Sequence, residues 1–337
     1  MLRLALPSNV EWQEPTLTFL ESCGLPVERL DVRRYTAAIR SLPGANVLFQ
    51  RVADIPLKVE EGRADLGIAG LDRYRESHRE DGDGIILIED LGFQRCELVI
   101  GVPDSWIDVS SLADLVDLSL EFREQGKQLR AATKYPRLVQ QFFLARDLRN
   151  FTLVEAAGAM EAAPAMGYAD IIADISSSGT TLRENRLKTL TDGTILTSQA
   201  CLIANKGLVA QESGKLSLIK TILEFIEARL MANLYYSVTA NLKGETAEEV
   251  AQNITSNPKV SGMQGPTIAK VYSKGADGGS WYAATVVVER DKVMEVVEYL
   301  RRIGGNGITV SPMSYVFEDT CRSYQRLLSE IAKGEDD

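Results

Sequence analysis

Up to Ala204 the chain alternates short apolar runs with stretches of helical spacing, the pattern of an α/β fold. Leu2–Leu6, Ala45–Gln50, Asp65–Leu71, Ile85–Ile88, Leu98–Val102, Leu129–Thr133, Phe151–Glu155 and Ile195–Ala204 read as strands. Helices are expected over Glu14–Ser22, Asp54–Glu61, Pro136–Asp147 and Met160–Met166, with Asp108–Gln128 helical but interrupted. Asp54 is placed to cap its helix and Gly62 to end it, while Pro136 suits a first helical turn. The Asp65–Leu71 run ends on glycine, where backbone can approach a ligand closely. Leu216–Leu230 repeats apolar residues at helical spacing and reads as a connector.

From Tyr235 the order changes. Strands at Tyr235–Leu242, Thr267–Tyr272, Trp281–Glu289 and Ile308–Pro312 enclose helices at Thr246–Ile254 and Asp291–Ile303. That is the β-α-β-β-α-β order of a ferredoxin-like domain.

Composition narrows the function. The chain has 337 residues with 45% hydrophobic and 25% charged content, ordinary for a globular protein of two or three domains. A net charge of −10 argues against a large nucleic-acid footprint, though it leaves room for a local basic pocket. No run of about 18 apolar residues is present, so no membrane span is expected. The N-terminal segment lacks a signal peptide's apolar region, which places the expectation in the cytoplasm. Cys23, Cys96, Cys201 and Cys321 are scattered and read as reduced packing residues. The single histidine, His78, lies in a polar run and reads as a surface residue, so chemistry built on an imidazole base is not expected.

The segment richest in chemistry is Asp170–Leu187. Asp170-Ile-Ile-Ala-Asp-Ile reads as a buried strand with two carboxylates, Ser176 to Thr181 as a hydroxyl-rich loop, and Leu182 to Leu187 as a helix start. Free N–H groups and hydroxyls beside a helix N-terminus cradle an anion, and a carboxylate at the strand end suits ribose hydroxyls or magnesium. The competing reading is a Ser/Thr-rich helix cap. Neither a Walker loop nor G-x-G-x-x-G is present.

The chain resembles the long form of the ATP phosphoribosyltransferase family over nearly its whole length. The resemblance is carried by Gly158–Asn185, Arg51-Val-Ala-Asp-Ile-Pro56, Ala64–Asp72, Asp90–Leu98 and Ala132-Thr-Lys-Tyr-Pro136, and later by Gly265-Pro-Thr-Ile and Gly307-Ile-Thr-Val-Ser-Pro312. It implies two periplasmic-binding-protein-like lobes with the site in their cleft, residues 1–95 with 190–212 and residues 96–189. A connector (213–230) and a ferredoxin-like regulatory domain (231–325) would follow.

The implied reaction moves phosphoribose from phosphoribosyl pyrophosphate to N1 of ATP with Mg²⁺, the first step of histidine biosynthesis. Histidine as feedback inhibitor and assembly into dimers or hexamers are implied as well. In that scheme Asp170 and Asp174 serve ribose hydroxyls or the metal. Ser176, Ser177, Ser178, Gly179, Thr180 and Thr181 hold the 5′-phosphate, and Glu161 contacts hydroxyls. Ser8, Glu11, Gly70, Asp72 and Tyr135 face the nucleotide. Arg51 and Lys134 join Asp170 and Asp174 in catalysis, and Gly265, Pro266 and Thr267 mark the effector site.

One turn departs from the family pattern. Where Ser-Lys-Gly-Arg is usual, this chain has Ser8-Asn9-Val10-Glu11-Trp12. Putting a carboxylate where a phosphate expects a cation costs about 4 kcal/mol for unit charges about 4 Å apart at an effective dielectric near 20. Either other cations compensate, with Lys134, Arg51, Arg137 and Arg183 the candidates, or the chain is an altered or inactive paralogue that binds phosphoribosyl or nucleotide ligands and regulates a partner.

Overall fold

The computed structural model describes residues 1–31, 34–155, 160–272 and 280–333. They form three sheets. The first runs, edge to edge, Val27–Glu28, Thr36–Ile39, Ala45–Gln50, Leu2–Pro7, Leu66–Gly70, Ala200–Asn205 and Gly84–Ile88. Its central strand Leu2–Pro7 is parallel to both neighbours, with Leu4 beside Val47 on one side and Leu66 on the other. The second runs Leu187–Ser198, Cys96–Pro103, Ile171–Ser176, Leu129–Thr133 and Phe151–Glu155. Its last three strands are mutually parallel. These sheets, each a lobe, belong to one compact unit made of Met1–Glu21, Leu25–Ile219 and Arg326–Asp337.

The expected strand Ile195–Ala204 is in fact two strands broken at Gln199. Leu196 pairs with Leu98 in the second sheet, whereas Ala200 pairs with Gly70 in the first. Gln199 turns the chain from one lobe to the other, its carbonyl accepting from Leu71 N–H at 2.9 Å and its Nε2 donating to the Glu89 carbonyl at 3.0 Å. The return of the chain to the first lobe therefore falls at Gln199, not at residue 190. An unbroken apolar pattern conceals the crossing because both halves are buried.

Other elements shift for local reasons. The first helix is Val10–Ser22, four residues longer at its start than expected, with Pro15 inside it. Proline has no N–H to offer the carbonyl four residues back, and the orphaned Glu11 carbonyl accepts from Gln94 Nε2 at 2.5 Å. Asp54 sits at the cap position of Ile55–Glu60 but makes no side-chain cap bond. The Met160–Met166 helix contracts to a 3-10 turn at Met160–Ala162, and the helix after the loop is Thr180–Glu184, already followed by strand at Leu187. Val27–Glu28 and Thr36–Ile39 are too short to show an apolar pattern, and the C-terminal helix Arg322–Lys333, whose Tyr324, Leu327, Leu328 and Ile331 recur at helical spacing, lies beyond the elements read from the sequence.

The second compact unit comprises Ser22–Gly24 and Lys220–Gln325. The division falls within the helix Ser213–Ala232 that the sequence suggests as connector. Its sheet runs Thr267–Val271, Trp281–Glu289, Tyr235–Lys243, Asn306–Pro312, every neighbouring pair antiparallel. Helices Ala247–Thr255 and Val293–Arg302 cover one face and bury Val250, Ile254, Val296 and Leu300 against Val238, Ala240, Val286 and Val288. This is the expected ferredoxin-like arrangement.

In the first lobe, helix Ile55–Glu60 packs on the sheet at Gly67, where a Cβ would lie 2.6 Å from Ile55 Cγ2. Gly67→Ala is expected to destabilise the protein by about 1–3 kcal/mol through overpacking, read as a lower urea midpoint with unchanged secondary structure.

Candidate functional site

In open α/β sheets ligands bind beyond the carboxyl ends of the strands. Here Ser8 and Arg51 follow, and Gly70 ends, three adjacent parallel strands of the first lobe. Lys134 and Tyr135 follow Leu129–Thr133, and Ser177 to Gly179 follow Ile171–Ser176, at the corresponding edge of the second. One hydrogen bond fastens the two edges together. Buried Tyr135 donates its hydroxyl to Asp72 Oδ2 at 2.7 Å. The other oxygen of Asp72 accepts from Ser198 Oγ at 2.7 Å, and that hydroxyl accepts from Asp72 N–H at 3.0 Å. Asp72 is itself only 4% exposed, so each of these bonds offsets desolvation of a carboxylate. Gly70 makes room for it, since a Cβ there would stand 2.3 Å from Asp72 Oδ1.

More contacts close the same seam. Glu76 receives the N–H groups of Arg137 and Leu138 at 2.9 and 3.0 Å, capping helix Pro136–Leu144 from the opposite lobe. Arg137 also donates to the His78 carbonyl. His78 is not the plain surface residue its polar neighbours suggest. Its ring stacks on Tyr74 at 4.9 Å, and its Nδ1 is buried without a hydrogen-bond partner, 3.8 Å from Glu60 Oε2.

The loop leaves the strand at Ser176 and turns through Gly179 at φ 70°, a left-handed conformation that favours glycine. Ser176 Oγ accepts from Gly179 N–H at 3.0 Å, and Ser178 Oγ donates to Thr180 Oγ1 at 3.0 Å. Among the described residues the N–H groups of Ser177 and Ser178 have no acceptor, and both residues are exposed. Arg183 folds back over the loop to the Ser178 carbonyl and Thr180 Oγ1, each at 3.2 Å. Thr180 and Thr181 open the short helix.

Asp174 lies within the strand on the approach to this loop. Burial raises its pKa above the usual carboxylate range; the Ile175 N–H at 2.8 Å, Lys134 and Arg73 lower it, while Glu161 raises it further. Lys134, Glu161 and Arg73 thus all act on Asp174.

Asp170 is elsewhere. It precedes the strand, and four residues at roughly 3.3 Å each separate it from Asp174 by about 13 Å. Its carboxylate is held by Arg130, with Nη2 to Oδ1 at 2.8 Å and Nε to Oδ2 at 3.1 Å, plus the Arg130 N–H at 2.8 Å. The expectation that Asp170 and Asp174 share a ribose or a metal fails on this distance. Asp170 is a structural ion pair.

Ser8 donates its N–H to the Gln50 carbonyl at 2.7 Å, and Asn9 Oδ1 accepts from Val52 N–H at 3.1 Å, so the atypical turn is fastened to the segment carrying Arg51. Glu11 is exposed on the first helical turn rather than in a loop. Gly265 and Pro266 precede the sheet-edge strand that Thr267 begins. The neighbouring Pro258, Lys259, Gly262 and Met263 line a cavity of about 310 Å³ with Tyr235, Val287, Val288, Glu289 and Lys292. Gly158 and Ala159, which open the resembling segment, lie outside the described residues.

The sequence reading missed Ser198 and Arg73. Ser198 carries no local signal, because its role depends on a partner 126 positions away. Arg73 adjoins the Ala64–Asp72 segment, but nothing in that spacing predicts that its guanidinium carbon would stand 4.2 Å over the Tyr135 ring.

Facing strand ends, a loop with free N–H groups and a buried carboxylate define a two-lobed α/β protein with a candidate anion-binding loop. Comparison with known proteins is specific. The family model for ATP phosphoribosyltransferase matches residues 51–249, and that for its C-terminal domain matches residues 232–315. "ATP phosphoribosyltransferase 2, chloroplastic" of Arabidopsis thaliana is 40% identical over 335 residues, covering 98% of this chain and 80% of the relative. The ATP phosphoribosyltransferase of Nitrobacter hamburgensis is 34% identical over 319 residues, 94% of each. A chain from the solved "ATP phosphoribosyl transferase (HisG:HisZ) complex from Thermotoga maritima" aligns at TM-score 0.51 and 23% identity, covering 67% of this chain and 98% of that one, and supports the fold. The chain belongs to the ATP phosphoribosyltransferase family.

Tyr135→Phe leaves Asp72 with Ser198 as its hydroxyl donor. Stability is expected to fall by about 1–3 kcal/mol, measured by urea denaturation, with at least as large a loss for Ser198→Ala, which removes both a donor to Asp72 Oδ1 and the acceptor of the Asp72 N–H.

Proposed function

We propose that the protein transfers the phosphoribosyl group of phosphoribosyl pyrophosphate to N1 of ATP, forming phosphoribosyl-ATP and pyrophosphate, and so catalyses the first step of histidine biosynthesis. The observation that carries this reading is the Ser176–Thr181 loop, with the Ser177 and Ser178 N–H groups free and Asp174 on its approach. The loop takes the 5′-phosphate and Asp174 accepts from the ribose hydroxyls. The C1–O bond breaks with its electron pair leaving on pyrophosphate, and the N1 lone pair makes the new C1–N1 bond. A proton leaves the amino group of the adenine to water.

Positive charge develops at C1 in this displacement, so positioning and electrostatics contribute more than a base. That suits a site whose titratable groups are carboxylates and cations. Lys134, exposed at its strand end, and Arg51 are the cations at hand on the two edges.

Magnesium is bound through one or two carboxylates plus substrate phosphates, keeping several waters. Asp174 offers one such carboxylate beside the loop with its free N–H groups, a donor set that suits this mode. Asp174 is the carboxylate we assign to a metal brought by the donor, where it would neutralise the pyrophosphate. Inhibition by histidine in the ferredoxin-like unit, assembly into dimers or hexamers and a cytoplasmic location are carried as parts of the same proposal. No described helix is long and apolar enough to cross a membrane.

Purified protein given ATP, the donor and Mg²⁺ should produce the absorbance of phosphoribosyl-ATP; its absence under all conditions tried, with the donor still bound, would make the chain a binding paralogue. The pH dependence is specific. Asp174 acts ionised and its pKa is raised, so donor binding should weaken as pH falls, beginning above the ordinary carboxylate range. Asp174→Asn should weaken binding by at least tenfold and flatten that acid limb, which calorimetry across pH detects.

A further inference from the structure

The turn Ser8–Trp12 offers no cation, yet the proposed chemistry releases a multiply charged leaving group beside it. Arg137 and Arg183 are already committed to protein acceptors, at the His78 carbonyl and at the Ser178–Thr180 loop respectively. Arg73 is not. Its guanidinium lies over the Tyr135 ring at 4.2 Å, and its Nε is 3.7 Å from Asp72 Oδ2, close enough for charge attraction and too far for a hydrogen bond. None of its N–H donors has an acceptor among the described residues, and its side chain is 27% exposed.

The ring holds the guanidinium in place, and the ring itself is fixed, because the Tyr135 hydroxyl is tied to Asp72. Arg73 is also near enough to Asp174 to lower its pKa. A planar fork of donors, held rigidly and left open, is the geometry that grips two phosphate oxygens at once. Trp12 approaches the same place, its Cη2 lying 3.4 Å from where a Cβ on Gly70 would be.

We propose that Arg73 is a polyphosphate-binding residue of this site, its guanidinium gripping a diphosphate unit and supplying the positive charge that the Ser8–Trp12 turn lacks. The inference rests on the transferase reading. That unit belongs either to the pyrophosphate of the donor or to the triphosphate of ATP, two sources of one chemistry.

The test is calorimetry on the whole protein with three probes: inorganic pyrophosphate with Mg²⁺, ATP, and ribose 5-phosphate. Arg73→Gln should weaken pyrophosphate or ATP by roughly tenfold to a hundredfold, and whichever probe suffers more identifies the source. Arg73→Lys, which keeps the charge and loses the fork, should fall between. Ribose 5-phosphate, which engages the loop and Asp174 but carries no diphosphate, should bind wild type and both variants alike at a pH where Asp174 is ionised in all three. Unchanged pyrophosphate and ATP affinities in Arg73→Gln overturn the proposal while leaving the transferase reading intact. Equal loss of ribose 5-phosphate, or failure of Arg73→Gln to fold while Arg73→Lys binds every probe as wild type does, makes Arg73 structural and also overturns it. A wild-type protein that binds none of the probes removes both readings together.

Discussion

The hydroxyl of Tyr135 on the carboxylate of Asp72 is the contact on which the arrangement of the two lobes turns. It is short, at 2.7 Å, and buried, and it joins residues from the carboxyl ends of strands in different sheets. A carboxylate excluded from water requires donors, and Asp72 obtains them from both lobes and from Ser198, which stands next to the crossing at Gln199. The same carboxylate lies under Gly70, beside Arg73 and within reach of the first helix through Trp12. Residues of both strand ends are therefore positioned from one buried acid. Glu76 on the helix Pro136–Leu144 and Arg137 on the His78 carbonyl hold the seam from the far side of helix Leu71–Ser77.

Charge is distributed unevenly. The chain carries a net −10, but Arg73, Lys134 and Glu161 all act on Asp174 at the strand end. The turn at Asn9 is less a defect than a different construction. Its side chain joins the Val52 N–H, and its helix begins immediately, so the segment serves as a fastening for the neighbouring loop.

Much of the fold was legible because its strands are continuous apolar runs and the ferredoxin-like unit has regular periodicity. Leu2–Pro7, Ala45–Gln50, Leu129–Thr133 and Trp281–Glu289 announce themselves in this way. The crossing at Gln199 did not, because residues on both sides are apolar and only the pairing changes. In the site, the hydroxyl loop was legible as a run of small residues. The two acids of the strand looked equivalent in sequence and are not, since Arg130 claims Asp170 from the neighbouring strand. Arg73 and Ser198 depend on partners distant in sequence or in the other lobe, which no local pattern encodes.

The central claim is that Asp174 and the Ser176–Thr181 loop hold a phosphoribosyl donor against the face that carries Asp72. A crystal structure of the protein with phosphoribosyl pyrophosphate and Mg²⁺ tests it most directly. The account predicts the 5′-phosphate on the N–H groups of Ser177 and Ser178, the ribose diol on Asp174, and Asp170 still paired with Arg130. A donor phosphate seated away from that loop, or a ribose diol held by Asp170, contradicts it.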